Sequence, residues 1–497
     1  MTFAARFRSD GADGLGAFAG VLRVAVAVVL LLLALPGCAP IAPRAAEPAD
    51  VEVPAAWSVA DAAAAPGTSS LVEWWLRFDD PLLARLVADA LRANTTVNSA
   101  QAALRQARAL RQVAAAALVP TLGSSASAQR SSSGNSAVPG VGRTTKNSFQ
   151  AGLDANWELD IFGANRSALN AGEATARASA ASLGDVQVSI AAEVALGYIT
   201  LRSAQARIAI ANDNLASQQE TLQITQWRQQ AGLVTALEAE QARAAAEQTG
   251  ALVPALQTGI EQAIHALAVL VGQPPAALNG LLFSASPVPQ PGDELALRLP
   301  AETLRQRADV RAAEYQVSAA QARVSQAEAA RLPRFAIGGS LGLSALTLGA
   351  LTNGASVVAS VLGSVSLPLF DGGAARAQVD AQQAALEQAQ QAWRAVVLAA
   401  LKEVEDALVA LRGDRQRLLR LVNAADAAAN AALMARQRYG SGLVDFQTVL
   451  ETQRTQLGTQ DGVASARADV SSDHVRLYKA LGGGWQPDTN ISRTSTP

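Results

Sequence analysis

The sequence predicts an α+β membrane protein of two structural repeats, each holding a helix, a β-hairpin and a long α-helical hairpin. Three observations predict it. First, Ala374–Tyr439 is an alanine-rich helix pattern of about 66 residues, roughly 100 Å at 1.5 Å per residue, far longer than a globular core needs. Second, the pattern occurs twice, about 210 residues apart. Third, ahead of each hairpin the hydrophobic period changes from about 3.6 to 2, the period of strands.

Taken in chain order, residues 1–37 read as an export signal. Arg6, Arg8 and Arg23 precede the apolar run Val24–Leu35, which is too short to span a bilayer and ends in Leu35-Pro36-Gly37-Cys38. Cys38 is the chain's one cysteine, so no disulfide forms within it, and its setting resembles a bacterial lipobox. That resemblance implies cleavage before Cys38 and its acylation. Residues 38–70, rich in Ala and Pro, read as the lipid anchor and an extended linker. Then Trp74-Trp75-x-x-Phe78-x-Asp80-Pro81-Leu82 opens the first repeat, 71–281, with Asp80 as helix cap and Pro81 at the first helical position.

The first β-hairpin is expected over 121–162. From Phe149 to Ile161 odd positions are apolar, among them Leu153, Trp157 and Leu159, and even positions are polar or glycine, among them Asp154 and Glu158. Thr121–Gln129 is a weaker strand. The helical hairpin, 163–272, carries Ile190, Val194, Gly197, Leu201, Ala204, Ile208, Ala211 and Leu215 at alternating steps of four and three. The second repeat, 282–485, runs the same way, with a β-hairpin over 334–370 and a helical hairpin over 372–482. Its strands alternate through Phe335, Ile337, Leu341 and Leu343, then Val357, Ala359, Val361 and Val365 through Leu369. Its helix stripe is Val397, Leu401, Val404, Leu408, Leu411, Leu418 and Val422. Residues 486–497 read as a disordered tail.

Offsets tie the copies together. Glu193-Val194 falls on Glu403-Val404, Gly232-Leu233-Val234 on Gly442-Leu443-Val444, and Gly272 on Gly482, all at 210; Phe162 falls on Phe370 at 208 and Pro120 on Pro333 at 213. Four strands with one apolar and one polar face cannot stand alone, and open edges are not tolerated in a bilayer. Closure between subunits answers both. The loops 130–147 and 347–356 would then be the outer turns.

Composition narrows the function class. Half of the residues are hydrophobic but only 4% are aromatic, which favours closely packed helices over one large core. Net charge −2 carries no nucleic-acid footprint. Gly338-Gly339-Ser340-Leu341-Gly342 matches a nucleophile pattern, but Ser340 sits inside an alternating strand and the histidines, His265 and His474, lie on helices. No residue group has metal-ligand spacing. An enzyme, a cofactor and a metal are therefore not expected.

These residues resemble a known family. Trp75-x-x-Phe78-x-Asp80-Pro81-Leu82, Ala308-Asp309-Val310-Arg311-x-x-Glu314, Leu367-Pro368-Leu369-Phe370-Asp371-Gly372-Gly373, Arg438-Tyr439-x-x-Gly442 and Leu450-x-x-Gln453-Arg454 are similar to the TolC-like outer-membrane efflux proteins, in their lipid-anchored, NodT/OprM-like branch. The resemblance implies a homotrimer in the outer membrane, anchored at Cys38, with a 12-stranded β-barrel continuous with a periplasmic α-helical barrel. It implies a periplasmic adaptor and a proton-driven inner-membrane transporter as partners, and a passive role as exit duct of a tripartite pump. The tips Gly232, Leu233, Val234, Gly442, Leu443 and Val444 would meet the adaptor. Glu238, Tyr439, Thr448 and Glu451 would form the periplasmic aperture; threefold symmetry makes Glu238 and Glu451 candidate charged rings, whereas Thr448 lacks the charge. Tyr439 would either hydrogen-bond across neighbouring hairpins to hold the mouth shut or serve as packing there. Asp154, Glu158 and Asp160 would face the barrel lumen. The other readings are the outer component of a type I protein-secretion system and a non-conducting periplasmic coiled-coil scaffold lipoprotein.

Overall fold

The computed structural model describes residues 53–58, 71–133, 144–292, 300–352 and 357–486. The export signal, the lipobox with Cys38, residues 59–70 of the linker and residues 487–497 lie outside the described residues. The chain divides into two compact units, one built from Leu122–Ala164 and Ala329–Pro368, the other from the helical segments.

In chain order the elements are α1 (Pro81–Ala93), α2 (Thr95–Ala116), β1 (Thr121–Ser133), β2 (Thr144–Leu159), α3 (Ala164–Gln230), α4 (Ala236–Gly250) and α5 (Leu252–Leu270). There follow α6 (Asn279–Leu282), α7 (Pro300–Gln306), α8 (Ala308–Ala329), β3 (Arg334–Ala345), β4 (Val357–Ser366), α9 (Ala374–Gly440) and α10 (Phe446–Ala480). The two long helices, α3 and α9, are each 67 residues.

Local chemistry sets the ends. Asp80 caps α1, its Oδ1 accepting from the amides of Leu82 and Leu83 at 2.9 and 3.0 Å, with Pro81 supplying no amide to satisfy. Each hairpin arm stops at a left-handed glycine. At Gly232 (φ 72°) the amide of Leu233 reaches the carbonyl of Arg228, and at Gly442 (φ 74°) that of Leu443 reaches Arg438, at 2.8 and 2.9 Å. Only glycine takes that φ without strain, and the 6→1 bond satisfies a terminal carbonyl. Gly272 and Gly482 end the return arms in the same way.

The repeat is visible in the packing. Asn94 donates from Nδ2 to the carbonyl of Leu270 at 2.9 Å. In the second repeat Arg307 stands in its place and donates from Nη1 to the carbonyl of Ala480 at 2.7 Å. Two unlike residues thus satisfy the same helix end. The copies differ in their return arms: that of the first repeat is interrupted at Ala251 between α4 and α5, whereas α10 is unbroken. Pro254 lacks an amide for the carbonyl four residues back; Ala464 stands at its counterpart.

In the helical unit Val194 and Leu201 of the first stripe and Val397, Val404, Leu408 and Leu411 of the second are buried. The main core joins Trp74 and Phe78 to α1, α3, α5 and α10, with the rings of Trp74 and Tyr478 stacked 5.4 Å apart. Where it is described, the linker is docked: Trp57 packs with Val404, Leu408 and Leu411, and the amide of Ser58 donates to Glu405 Oε1 at 2.9 Å.

In the other unit the four strands form one sheet in the order β1-β2-β3-β4. β2 pairs antiparallel with β3, Leu153 opposite Leu341 and Trp157 opposite Ile337; β3 pairs antiparallel with β4, Leu341 opposite Ala359 and Phe335 opposite Val365. The alternation read from the sequence therefore sorts onto two faces. Some boundaries differ from expectation. β1 extends to Ser133, β2 ends before Ile161, β4 ends before Leu367 and Leu369, and a 3₁₀ turn over Leu348–Thr352 occupies part of the second loop.

Candidate aperture and channel face

The hairpin tips are built by the helix ends. Leu233 and Leu443, which follow the turn glycines, are 69% and 74% exposed. Just inside the tips, Ala242 and Ala245 of α4 pack with Ala435 and Tyr439 of α9 and Phe446, Val449 and Leu450 of α10.

Tyr439 is the centre of this cluster. Its hydroxyl donates to Glu238 Oε2 at 3.0 Å. The guanidinium of Arg228 lies 4.6 Å from the centre of its ring and donates from Nη1 to its carbonyl at 3.1 Å. The Phe446 ring is 5.4 Å away. Burial first, and then the Glu238 carboxylate, push the Tyr439 phenol above its ordinary range, so it remains a proton donor at neutral pH. Glu238 and Arg228 belong to the first repeat and Tyr439 to the second, so the two hairpins are latched together at one residue.

The other aperture candidates are placed differently. The amide and Oγ1 of Thr448 both donate to Asp445 Oδ1, at 2.9 and 2.6 Å, which makes Thr448 part of the cap of α10. These bonds hold the Asp445 carboxyl below its usual range. Glu451, one turn into α10, is exposed, with its carbonyl accepting from Thr455 Oγ1 at 2.9 Å. Glu238 lies in the first turn of α4, where a carboxylate also complements the helix dipole. The structure thus brings Glu238 to Tyr439, while Thr448 serves its own helix end.

Above the latch runs a polar seam that sequence reading missed. Arg207, Asn214, Thr221 and Arg228 recur every seven residues along α3, and each meets the second repeat. Arg207 makes a two-pronged ion pair with Asp461, Nε to Oδ1 at 2.6 Å and Nη2 to Oδ2 at 3.1 Å. Asn214 Nδ2 donates to Gln460 Oε1 at 2.8 Å, and Gln453 Nε2 donates to Thr221 Oγ1 at 3.0 Å. The seven-residue spacing was the available signal, masked by the apolar stripe on the same helix.

On the sheet, Asp154 lies opposite Ser340, and Ser340 opposite Ser360. Ser125 Oγ donates to Asp154 Oδ2 at 2.9 Å and the hydroxyls of Ser340 and Ser360 lie 2.7 Å apart, so two hydrogen-bonded polar pairs, set side by side by the Asp154–Ser340 register, make a polar row across the four strands. Glu158, paired with Ala336, shares that face. Asp160 lies beyond the end of β2, where strand alternation no longer assigns a face. The opposite face exposes Leu153, Trp157, Ile337, Leu341, Val361 and Val365. Ser340 is thus a mid-strand residue and not a nucleophile at a strand-to-helix turn. Among the described residues no group of His, Cys, Asp and Glu could hold a metal, and no helix is long and apolar enough to cross a membrane.

Comparisons with known proteins agree with this arrangement. Residues 86–273 and 299–483 match the profile of the outer membrane efflux protein family, one segment per repeat. The chain is 31% identical over 440 residues to the pyoverdine export outer membrane protein OpmQ of Pseudomonas aeruginosa, covering 86% of this chain and 90% of that one. It is 30% identical over 470 residues to the outer membrane protein OprJ of the same species, covering 94% and 97%. The outer-membrane channel OprN superposes with a TM-score of 0.81 at 36% identity, covering 89% of this chain and all of that one. With the repeat, the two-faced sheet and the paired hairpins, these matches show that the chain belongs to the outer membrane efflux protein family and is an outer-membrane efflux duct.

Proposed function

We propose that three copies, each acylated at Cys38, form the exit duct of a tripartite efflux pump. Their sheets close into a twelve-stranded barrel whose apolar face meets lipid and whose polar row, with Asp154 and Glu158, faces the lumen. Their helical hairpins line a periplasmic tunnel, and the tips around Gly232 and Gly442 receive the hairpins of a periplasmic adaptor that is itself coupled to an inner-membrane transporter. The duct is passive, performs no catalysis and passes drugs or other small molecules.

The observation that carries the gating part is the Tyr439–Glu238 hydrogen bond backed by Arg228. It joins the two hairpins at the end where the adaptor would bind. Adaptor contact that displaces the α9–α10 hairpin would break it and widen the mouth. Glu451 adds a second ring of charge, and the resting pore favours cations.

Single-channel conductance of the purified protein in planar bilayers tests this, with the native form set beside a Glu238→Ala, Glu451→Ala double substitution. Small openings that enlarge and lose cation preference in the variant are expected. A conducting pore unchanged by the substitution would reject the aperture assignment and keep the duct.

A further inference from the structure

α2 carries charge of one sign. Its 22 residues include Arg105, Arg108 and Arg111 and no acid. Residues three apart are neighbours on a helix surface, and like charges at that spacing weaken the helix unless an anion faces them. All three arginines are exposed and make no hydrogen bond or ion pair among the described residues.

The helix beside the row does not supply the anion. A Cβ added at Gly172 of α3 would lie 3.4 Å from the Cα of Arg111, so this turn of α3 packs against the row. Between Ala164 and Gly184 the one acid of α3 is Glu173, and it is already bonded to Arg177 at 2.6 Å.

The row also belongs to one repeat. At the offset of 213 that relates Pro120 to Pro333, Arg105, Arg108 and Arg111 fall on Ser318, Gln321 and Val324. α8, the counterpart of α2, carries Asp309, Glu314 and Glu328 beside Arg311 and Arg323. A helix in this place thus folds without a basic row, and the row points to something anionic outside the chain.

We propose that Arg105, Arg108 and Arg111 bind the phosphate head groups of anionic phospholipids on the periplasmic side of the outer membrane. This rests on the reading above that the sheet closes into a membrane-spanning barrel.

Position selects lipid as the partner. Only residues 117–120 separate α2 from β1. At 1.5 Å per residue Arg111, Arg108 and Arg105 lie about 7, 12 and 16 Å from the end of α2. A head-group layer is about 5–8 Å deep and the Debye length is about 8 Å at physiological salt, so the row spans the zone in which an anionic surface attracts cations. The guanidinium fork suits a phosphate, which it can meet with two parallel hydrogen bonds. The apolar side of α2 lies elsewhere. Leu110 and Val113, 59% and 68% exposed, stand about 200° and 140° round the helix from Arg108 at 100° per residue. A protein neighbour covering them would leave the arginines to solvent and lipid.

Native mass spectrometry of the purified full chain in neutral detergent tests this, with phosphatidylglycerol and phosphatidylcholine added in equal amounts. The native protein is expected to retain phosphatidylglycerol several-fold over phosphatidylcholine, and less so as ammonium acetate is raised. Arg105→Gln, Arg108→Gln and Arg111→Gln together are expected to abolish the preference, and lysine at the same three positions to keep most of it. Should the glutamine variant not fold, each single substitution is expected to lower the preference about twofold or more. A preference that survives in the glutamine variant would overturn the proposal. So would an unchanged lipid preference joined to altered ion selectivity in phosphatidylcholine bilayers, which would put the arginines in the lumen. A native protein that conducts but retains both lipids equally would overturn lipid binding and keep the duct. Neither conductance nor lipid preference in the native protein would overturn both this and the barrel reading.

Discussion

Tyr439, in the last turn of the second repeat's long helix, gives its hydroxyl proton to Glu238, in the first turn of the first repeat's return arm, across 3.0 Å. Neither residue has a counterpart of its kind in the other repeat: Gln229 and Thr448 stand at the positions offset by 210. The bond is therefore a place where the two repeats have diverged into lock and keeper.

Tyr439→Phe removes the hydroxyl and keeps the ring on Arg228 and Phe446. A hydrogen bond to a carboxylate contributes about 1.5–3 kcal/mol. Open-channel occupancy in planar bilayers is expected to rise about tenfold or more. Glu238→Gln, which keeps an acceptor, is expected to fall between native and Tyr439→Phe, and the double variant to match Tyr439→Phe alone. Additive effects would show that the two residues act separately.

The Arg207–Asp461 pair is half-exposed on both sides, so its contribution is limited by solvent. A double-mutant cycle with Arg207→Ala and Asp461→Ala is expected to give a coupling of about 1 kcal/mol in apparent unfolding free energy. The coupling should shrink as salt is raised. A coupling that is absent at low salt would remove this pair from the forces holding α3 to α10.

Asp473 on α10 is buried and bonded to Arg476 at 2.8 Å, with Asp414 of α9 beside it. Burial and the facing Asp414 carboxyl push its pKa from 3.8 to about 6 against the pull of Arg476. The folded chain then holds more protons than the unfolded chain between those values. Stability from this group is full below about pH 4 and is lost as pH rises through about 6. The unfolding temperature of Asp473→Asn minus that of the native protein should therefore be more positive at pH 7 than at pH 4. A difference independent of pH would show that Asp473 does not titrate in this window.

Glycine substitutions separate turn strain from crowding. Gly232 and Gly442 have positive φ and open space around a would-be Cβ, so alanine is expected to cost about 1–2 kcal/mol at each. At Gly272 a Cβ would meet the carbonyl oxygen of Ala93 at 2.6 Å, and at Gly482 the backbone of Arg307 at 3.1 Å. Alanine there adds a clash with backbone to the same strain. Gly272→Ala is expected to abolish folded protein in outer-membrane fractions and Gly482→Ala to lower it, where Gly232→Ala and Gly442→Ala accumulate normally. Equal yields from all four would refute the close approach.

The sequence by itself determined the elements and their order, because these depend on local periodicity and turn chemistry. Heptad stripes around Val194 and Val404, alternation around Leu153 and Leu341, and glycines at 232, 272, 442 and 482 specify helix, strand and reversal without knowledge of any partner. Offsets between the copies even identify which residues are equivalent. What only the tertiary structure decided is which equivalent residues kept a role. Glu238 and Thr448 occupy matching positions, yet Glu238 is reached by Tyr439 of the other repeat, whereas Thr448 bonds Asp445 three residues before it and caps its own helix. The seam from Arg207 to Arg228 was hidden for the same reason. A polar residue on a long helix is solvated or paired according to what lies across from it, and that depends on the register between α3 and α10, which no single segment encodes.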